Sequence, residues 1–328
     1  MTLIKKFLIG LVLIFVLFII GSLSYVKIAL PDVGDAPKIK IEATPERIAR
    51  GKYLANHVCV CIDCHSKRDW TKFSGPPIEG TFGMGGECFD QKFGFPGSYH
   101  SKNITPFGVK SWTDGELLRA ITTGVDKQGN ALFPIMPYHY YGQMDEEDVK
   151  SIIAYIRILQ PVENDPGASS SDFPMNFIIN TIPQKANFQK IPNKKTDLIA
   201  YGKYLITASG CIECHTKDEK GQIIPELAYS GGREFPVPTG GEVRSGNITP
   251  DRETGIGTWS KEQFIALFKA RSDSATLNMK AKPGQFNTIM PWTMYSKMTD
   301  EDLEAIYTYL RTIKPIKNEV EKFTSAKL

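Results

Sequence analysis

Cys61-Ile62-Asp63-Cys64-His65 recurs 150 residues later as Cys211-Ile212-Glu213-Cys214-His215. Cys-x-x-Cys-His is the attachment pattern of a c-type heme. Two thiols spaced one helical turn apart add across the two porphyrin vinyl groups, and the adjoining imidazole then reaches the iron from one side. A zinc half-site or a redox dithiol explains one isolated copy, but not two copies inside matching repeats of an exported chain. The reading is two covalently bound heme c groups, on Cys61 and Cys64 with His65 as iron ligand, and on Cys211 and Cys214 with His215.

The repeat extends well beyond these motifs. Gly51-Lys52-Tyr53-Leu54 precedes the first and Gly202-Lys203-Tyr204-Leu205 the second. Downstream, Asn103-Ile104-Thr105-Pro106 matches Asn247-Ile248-Thr249-Pro250, Trp112 matches Trp259, and Ile135-Met136-Pro137 matches Ile289-Met290-Pro291. Two long units mark a duplicated domain rather than a solenoid. Each half closes on residues at helical spacing, which predicts helices over Asp145–Gln160 and Asp300–Lys314, capped by Asp145 and Thr299 and stopped by Pro161 and Pro315. Asp148 and Asp302 lie three residues on, and Thr299 with Asp302 resembles a capping box with Asp in place of the usual Glu. Earlier helices are expected to start near Thr44-Pro45 and Thr196-Asp197, and a third pair after Trp112 and Trp259. Strand patterns are scarce, and Ser74–Ser101 reads as an irregular loop. The fold class is mainly α, with an N-terminal anchor and linker at 1–44, heme domains at 45–162 and 195–328, and a linker at 163–194 in which Phe173, Phe177, Ile178 and Ile179 suggest a short helix packed on the domains. A structured linker would fix the heme separation, on which electron tunnelling depends steeply.

The chain has 328 residues, 41% hydrophobic and 23% charged, with a formal net charge of +3. Residues 45–162 carry 13 basic and 13 acidic side chains, and 195–328 carry 18 and 17, so no basic face suggests nucleic acid. After Lys5 and Lys6, residues Phe7–Val26 hold no charge. Twenty apolar residues can span a bilayer, whereas a cleaved signal has a shorter core and a small-residue site. An uncleaved anchor is the expectation, with a cleaved signal as the alternative. Lys5 and Lys6 would stay cytoplasmic, placing the domains in the periplasm of a bacterium, on the inner (cytoplasmic) membrane.

The second axial ligand decides between electron transfer and ligand chemistry. Met136 and Met290 recur, each before a proline, and are the expected partners of His65 and His215. Met144 and Met298 also recur, but sit before helix caps as apolar staples. Met294 rivals Met290, and His139 offers a bis-histidine alternative to Met136. Asn103, Asn247, Trp112 and Trp259 are candidate donors to heme propionates, or core residues. Cys59 and Cys88 are left over, and in an oxidising compartment a disulfide between them is expected. The alternative is Cys88 as a thiolate iron ligand.

Ser230-Gly231-Gly232, Ser245-Gly246-Asn247-Ile248-Thr249-Pro250-Asp251, Thr254-Gly255-Ile256-Gly257, Trp259-Ser260 and Ile289-Met290-Pro291-Trp292 resemble the cytochrome c subunits of bacterial membrane-bound alcohol and gluconate dehydrogenases. The resemblance covers roughly residues 45–316. It implies two class I cytochrome c domains in tandem with His/Met hemes, on Cys61, Cys64, His65 and Met136, and on Cys211, Cys214, His215 and Met290. It also implies close packing of Gly51 with Tyr155 and of Gly202 with Tyr309. Those subunits commonly carry three heme domains against two here, and the first half has one extra residue before its motif and no Ser-Gly-Gly run. The function implied is single-electron transfer without turnover, to or from a dehydrogenase, oxidase or small cytochrome. The alternative is a diheme enzyme of the peroxidase or thiosulfate-oxidising type.

Overall fold

The computed structural model describes residues 3–326, beginning with an isolated helix, Leu3–Ile28, none of whose residues is buried. In the rest the regular structure is mostly helical, joined by long loops, and the two halves repeat one plan. In each, an opening helix lies across a closing helix: Pro45–Tyr53 on Glu146–Ile156, and Leu198–Ala208 on Asp300–Leu310. The caps follow from side-chain chemistry. Thr44 accepts from the Arg47 amide ahead of a first-turn proline, Asp197 from Ala200, Asp145 from Glu147 and Thr299 from Asp302. The third pair, Asp114–Thr123 and Lys261–Lys269, starts with reciprocal capping boxes, Thr113 with Glu116 and Ser260 with Gln263.

The closing helices stop at Ile156 and Leu310, a turn short of expectation. Pro161 disfavours helical backbone at the residue before it, and the chain tightens first, with Ile158 bonding to Tyr155 and Leu159 to Ile156. The loop expected over Ser74–Ser101 is partly ordered, because Cys88–Phe89 pairs with Gly97–His100, which pairs in turn with Ser170–Ser171. The linker helix forms at Met175–Ile178 and packs on the N-terminal helix and on strand Ser170–Ser171, which is itself paired to the first half.

The extra residue in the first half has a definite place. Leu54–Val58 winds as a π-helix, with Cys59 N–H bonding to Leu54 O, which absorbs one residue within the helix. The chain then enters the heme motif through a left-handed residue, Val60 at φ 47°, where the second half has Gly210 at φ 62°. A β-branched residue is strained there. Val60→Gly is expected to raise stability by about 1 kcal/mol, seen as a higher thermal midpoint; an unchanged or lower midpoint would mean the valine side chain's packing outweighs the strain.

One apolar cluster, including Leu54, Ile152, Ile153, Leu205, Leu303 and Ile306, joins the halves. Around it they exchange polar contacts symmetrically. Tyr53 Oη donates to Asp302 at 2.6 Å and accepts from the Thr299 amide at 3.1 Å. Its counterpart Tyr204 donates to Asp148 at 2.6 Å and accepts from the Asp145 amide at 3.2 Å. Each tyrosine therefore finishes the cap of the other half's closing helix. This corrects the capping-box expectation at Asp302, whose carboxylate is turned to Tyr53 and Tyr201; Asp148 likewise meets Tyr204 and forms a bidentate pair with Arg50. Hydrogen bonds to a charged group contribute roughly 1.5–3 kcal/mol. Tyr204→Phe should therefore cost about 2 kcal/mol in denaturant unfolding, and a loss within error would show the contact to be incidental.

Candidate heme sites

Cys61–Cys64 and Cys211–Cys214 each form a single helical turn, which sets the paired thiols on one side and ends at the histidine. Cys64 and Cys214 are open to solvent, yet surrounding protein desolvates them and pushes their thiols above the usual range. Both observations fit a recess walled by protein. None of the four motif cysteines is bonded to another.

The histidines are held alike. His65 Nδ1 lies 2.7 Å from the Lys102 carbonyl and His215 Nδ1 2.8 Å from the Gly246 carbonyl. A carbonyl only accepts, so Nδ1 carries the hydrogen and Nε2 keeps its lone pair. Desolvation lowers both imidazole pKa values and favours the neutral, metal-binding form. A backbone partner on the far nitrogen is the usual way a ligating histidine is oriented.

A glycine pair ties each histidine's backbone to the residue just before its carbonyl partner. Gly231 N–H bonds to His215 O at 2.7 Å and Gly232 N–H to Ser245 O at 2.8 Å. In the first half Gly85 and Gly86 do the same, to His65 O at 2.8 Å and Ser101 O at 3.0 Å. Here Met84-Gly85-Gly86 replaces the Ser-Gly-Gly run that sequence reading found absent, and the signal was the glycine pair alone. A Cβ at Gly85 would lie 2.4 Å from Ser101 O, and one at Gly231 would lie 2.5 Å from Ser245 O. With φ of 72° and 75°, only glycine suits either place.

Met136 and Met290 share one conformation. The Tyr138 amide bonds to Met136 O and the Trp292 amide to Met290 O, both at 2.7 Å, across prolines at φ −80°, ψ 53° and φ −78°, ψ 61°. These are inverse γ-turns, with the methionines half-buried against the core. The helices that follow are tied to the heme motifs. Tyr141 Oη donates to Cys59 O at 2.9 Å, and Tyr295 Oη to Ser209 O at 3.0 Å. Burial, then the neighbouring cysteine thiols, raises both phenols well above their ordinary pKa.

Other candidates are placed elsewhere. Asn103 spends its amide on Val162 O and Asn164 O and its carbonyl on Thr105. Asn247 does likewise with Thr254, Ile316 O and Thr249. Both are loop clasps with no donor left for a propionate, which corrects that expectation. Trp112 and Trp259 pack on the core. His139 lies 3.4 Å from Glu213 of the second motif, beside the Tyr140 hydroxyl that donates to the same carboxylate at 2.6 Å. Met144 and Met298 are buried in the core, and Met294 is buried in helix Trp292–Tyr295.

The expected Cys59–Cys88 disulfide is not made. Cys59 is buried with Sγ 3.8 Å from Met144 Sδ, while Cys88 sits on a strand beside Ser98, 3.6 Å away, and His100, 4.0 Å away. Both are free thiols, in different surroundings. Tyr141 and Met144 close over Cys59 and keep it in the core.

The residues fit a covalent heme. Each half supplies unbonded paired thiols in a recess, a neutral imidazole with Nε2 available, and a methionine on a fixed turn. Beside the Met136 turn, the Tyr138 hydroxyl is buried with no protein partner among the described residues, an unspent donor for a bound group.

Comparison with known proteins agrees. Residues 199–314 match the cytochrome c family model. The chain is 30% identical over 284 residues to the fructose dehydrogenase cytochrome subunit of Gluconobacter japonicus, covering 83% of this chain and 53% of that one. It is 26% identical over 297 residues to the cytochrome c subunit of a quinone-dependent alcohol dehydrogenase from Gluconacetobacter polyoxogenes, covering 84% and 58%. It is 26% identical over 312 residues to the gluconate 2-dehydrogenase cytochrome c subunit of Pantoea cypripedii, covering 90% and 64%. The chain thus spans between about half and two thirds of these relatives' lengths. With its heme motifs and its histidine geometry, the chain is a c-type cytochrome similar to the cytochrome c subunits of alcohol, fructose and gluconate dehydrogenases.

Proposed function

We propose that this protein is a membrane-anchored diheme cytochrome c that passes single electrons between a partner dehydrogenase and the respiratory chain, without turnover of its own. The observation that carries this is the twinned site: both halves hold histidine, thiols and methionine turn by the same backbone contacts. Two like sites, each with a ligand for either face of the iron, suit two six-coordinate hemes better than one relay heme and one open heme. Bound heme would supply the one-electron couple. The protein's own residues orient each imidazole through Lys102 and Gly246, hold each thioether on its Met-Pro turn, and fix the distance between the sites through the shared core. The halves correspond to tandem cytochrome c domains.

The N-terminal helix, 26 residues with mean hydropathy 2.9 over its most apolar window, is the proposed anchor in the inner membrane, with the heme-bearing part in the periplasm. A partner dehydrogenase follows from the names of the relatives, since each is a cytochrome subunit of one.

The test is the visible spectrum of the dithionite-reduced holoprotein with and without carbon monoxide, together with heme quantification. Two hemes per chain and no spectral shift are expected. A shift in about half the absorbance would reveal one open iron and favour the diheme-enzyme alternative. One heme per chain would remove the diheme reading.

A further inference from the structure

The short segment between the halves has an unusual surface. From Phe173 to Gln184 it carries no ionisable side chain. Phe173 is 81% exposed and Ile178 44% exposed, at the start and end of the turn containing helix Met175–Ile178. In water two large apolar groups so close together gain nothing, and helix Met175–Ile178 touches the N-terminal helix.

Its height is set by that contact. Lys27 Nζ donates to Asn176 O at 2.6 Å and lies 4.9 Å from the centroid of the Phe177 ring. Lys27 ends the charge-free run Phe7–Val26, whose twenty residues rise about 30 Å, the thickness of a bilayer's hydrocarbon core. A residue bonded to Lys27 therefore sits at the headgroup layer, where aromatic side chains and apolar turns partition. The exposed patch continues the apolar surface of the anchor, and this continuity names its occupant.

We infer that residues 172–182 form a second, interfacial membrane contact in which Phe173 and Ile178 enter the headgroup and acyl boundary beside the anchor. This rests on the anchor reading above. The chain is then held to the bilayer at two points. Because the segment joins the halves, the second point fixes the height of the heme sites above the lipid.

The test uses the full-length holoprotein in phospholipid nanodiscs, with photoreactive p-benzoylphenylalanine placed singly at Phe173, Phe15 or Phe82, the last 44% exposed on the first half. After irradiation, lipid adducts are read by mass spectrometry. Adducts at 15 and 173 with only background at 82 are the expected result. Adducts at 15 but not 173 would overturn the inference and leave the anchor standing. No adduct at 15 or 173 would remove the anchor reading and this one with it. In native membranes, a protein adduct replacing the lipid adduct at 173 would also overturn it, in favour of a protein partner.

Discussion

Met290→Ala is expected, on the diheme ligation proposed above, to make the second heme bind carbon monoxide and to lower its reduction potential by on the order of 0.2 V, within the roughly 0.8 V that axial ligands control. The first heme should be unaffected. A thioether is a soft ligand that favours the ferrous state, so a His/Met pair raises the potential and its loss lowers it. Alanine leaves the γ-turn backbone intact, because the bond from Trp292 N–H to Met290 O uses no side chain. Potentiometric titration and the carbon monoxide difference spectrum read the change directly. If the second heme kept its spectrum and potential, the ligand would pass to Met294, four residues on.

The Met290 turn is also clasped from the other half. Ser74, fully buried at φ 65°, donates from Oγ to Met290 O at 2.5 Å and accepts from the Trp292 amide at 3.1 Å. Its own amide donates to Asn287 Oδ1 at 2.9 Å. Ser74→Ala should therefore lower the second heme's potential in the same direction as Met290→Ala, by less, although Ser74 lies among the first half's residues. Met136 has no equivalent clasp among the described residues, so Met136→Ala is the simpler mirror experiment on the first heme. In the same sense, His139 and Tyr140 of the first half hold Glu213 of the second motif, below its ordinary pKa at about 2 despite burial, through hydrogen bonds from both and the charge of Arg233. The second site is thus the more dependent on its neighbour.

What sequence reading could reach was local. Two Cys-x-x-Cys-His motifs, a repeat of identical short words and caps at Thr44, Asp145 and Thr299 are each written within a few residues, and the structure has them there. What it missed depends on partners far along the chain. Ser74 meets Met290 across 216 residues and Tyr53 meets Asp302 across 249. No pattern within a window of twenty could pair them. Asp302 was misread because its position three after the cap suits a capping box equally well. The Gly85-Gly86 turn was hidden by methionine in place of serine, although the backbone needs only the glycines. The extra residue before Cys61 was visible as an insertion, but its absorption as a π-helix follows from hydrogen bonding rather than from residue type.

Gly202→Ala should be among the most damaging single-methyl additions in the protein. A Cβ there would stand 2.0 Å from Ala305 O and 3.0 Å from Tyr309 Cβ, where the opening and closing helices of the second half cross. Gly51, its counterpart, would place one 1.8 Å from Ser151 O and 3.0 Å from Ile152 N. The obstacle in both cases is helix backbone, which cannot rotate away as a side chain can. The helices must separate by an ångström or more, and the packed cluster around Leu205, Leu303 and Ile306 would open with them. Overpacking in a close-packed interior costs roughly 1–3 kcal/mol and sometimes more, and a backbone clash belongs at the top of that range, about 3 kcal/mol. Gly246→Ala is the matched control. It has ordinary φ and nothing within 4 Å of its Cβ position, so a change within about 0.5 kcal/mol is expected. Denaturant unfolding of the three holoproteins, followed by far-ultraviolet circular dichroism, would separate the cases. Equal stability of Gly202→Ala and Gly246→Ala would mean that the helices do not cross as closely as their backbones indicate.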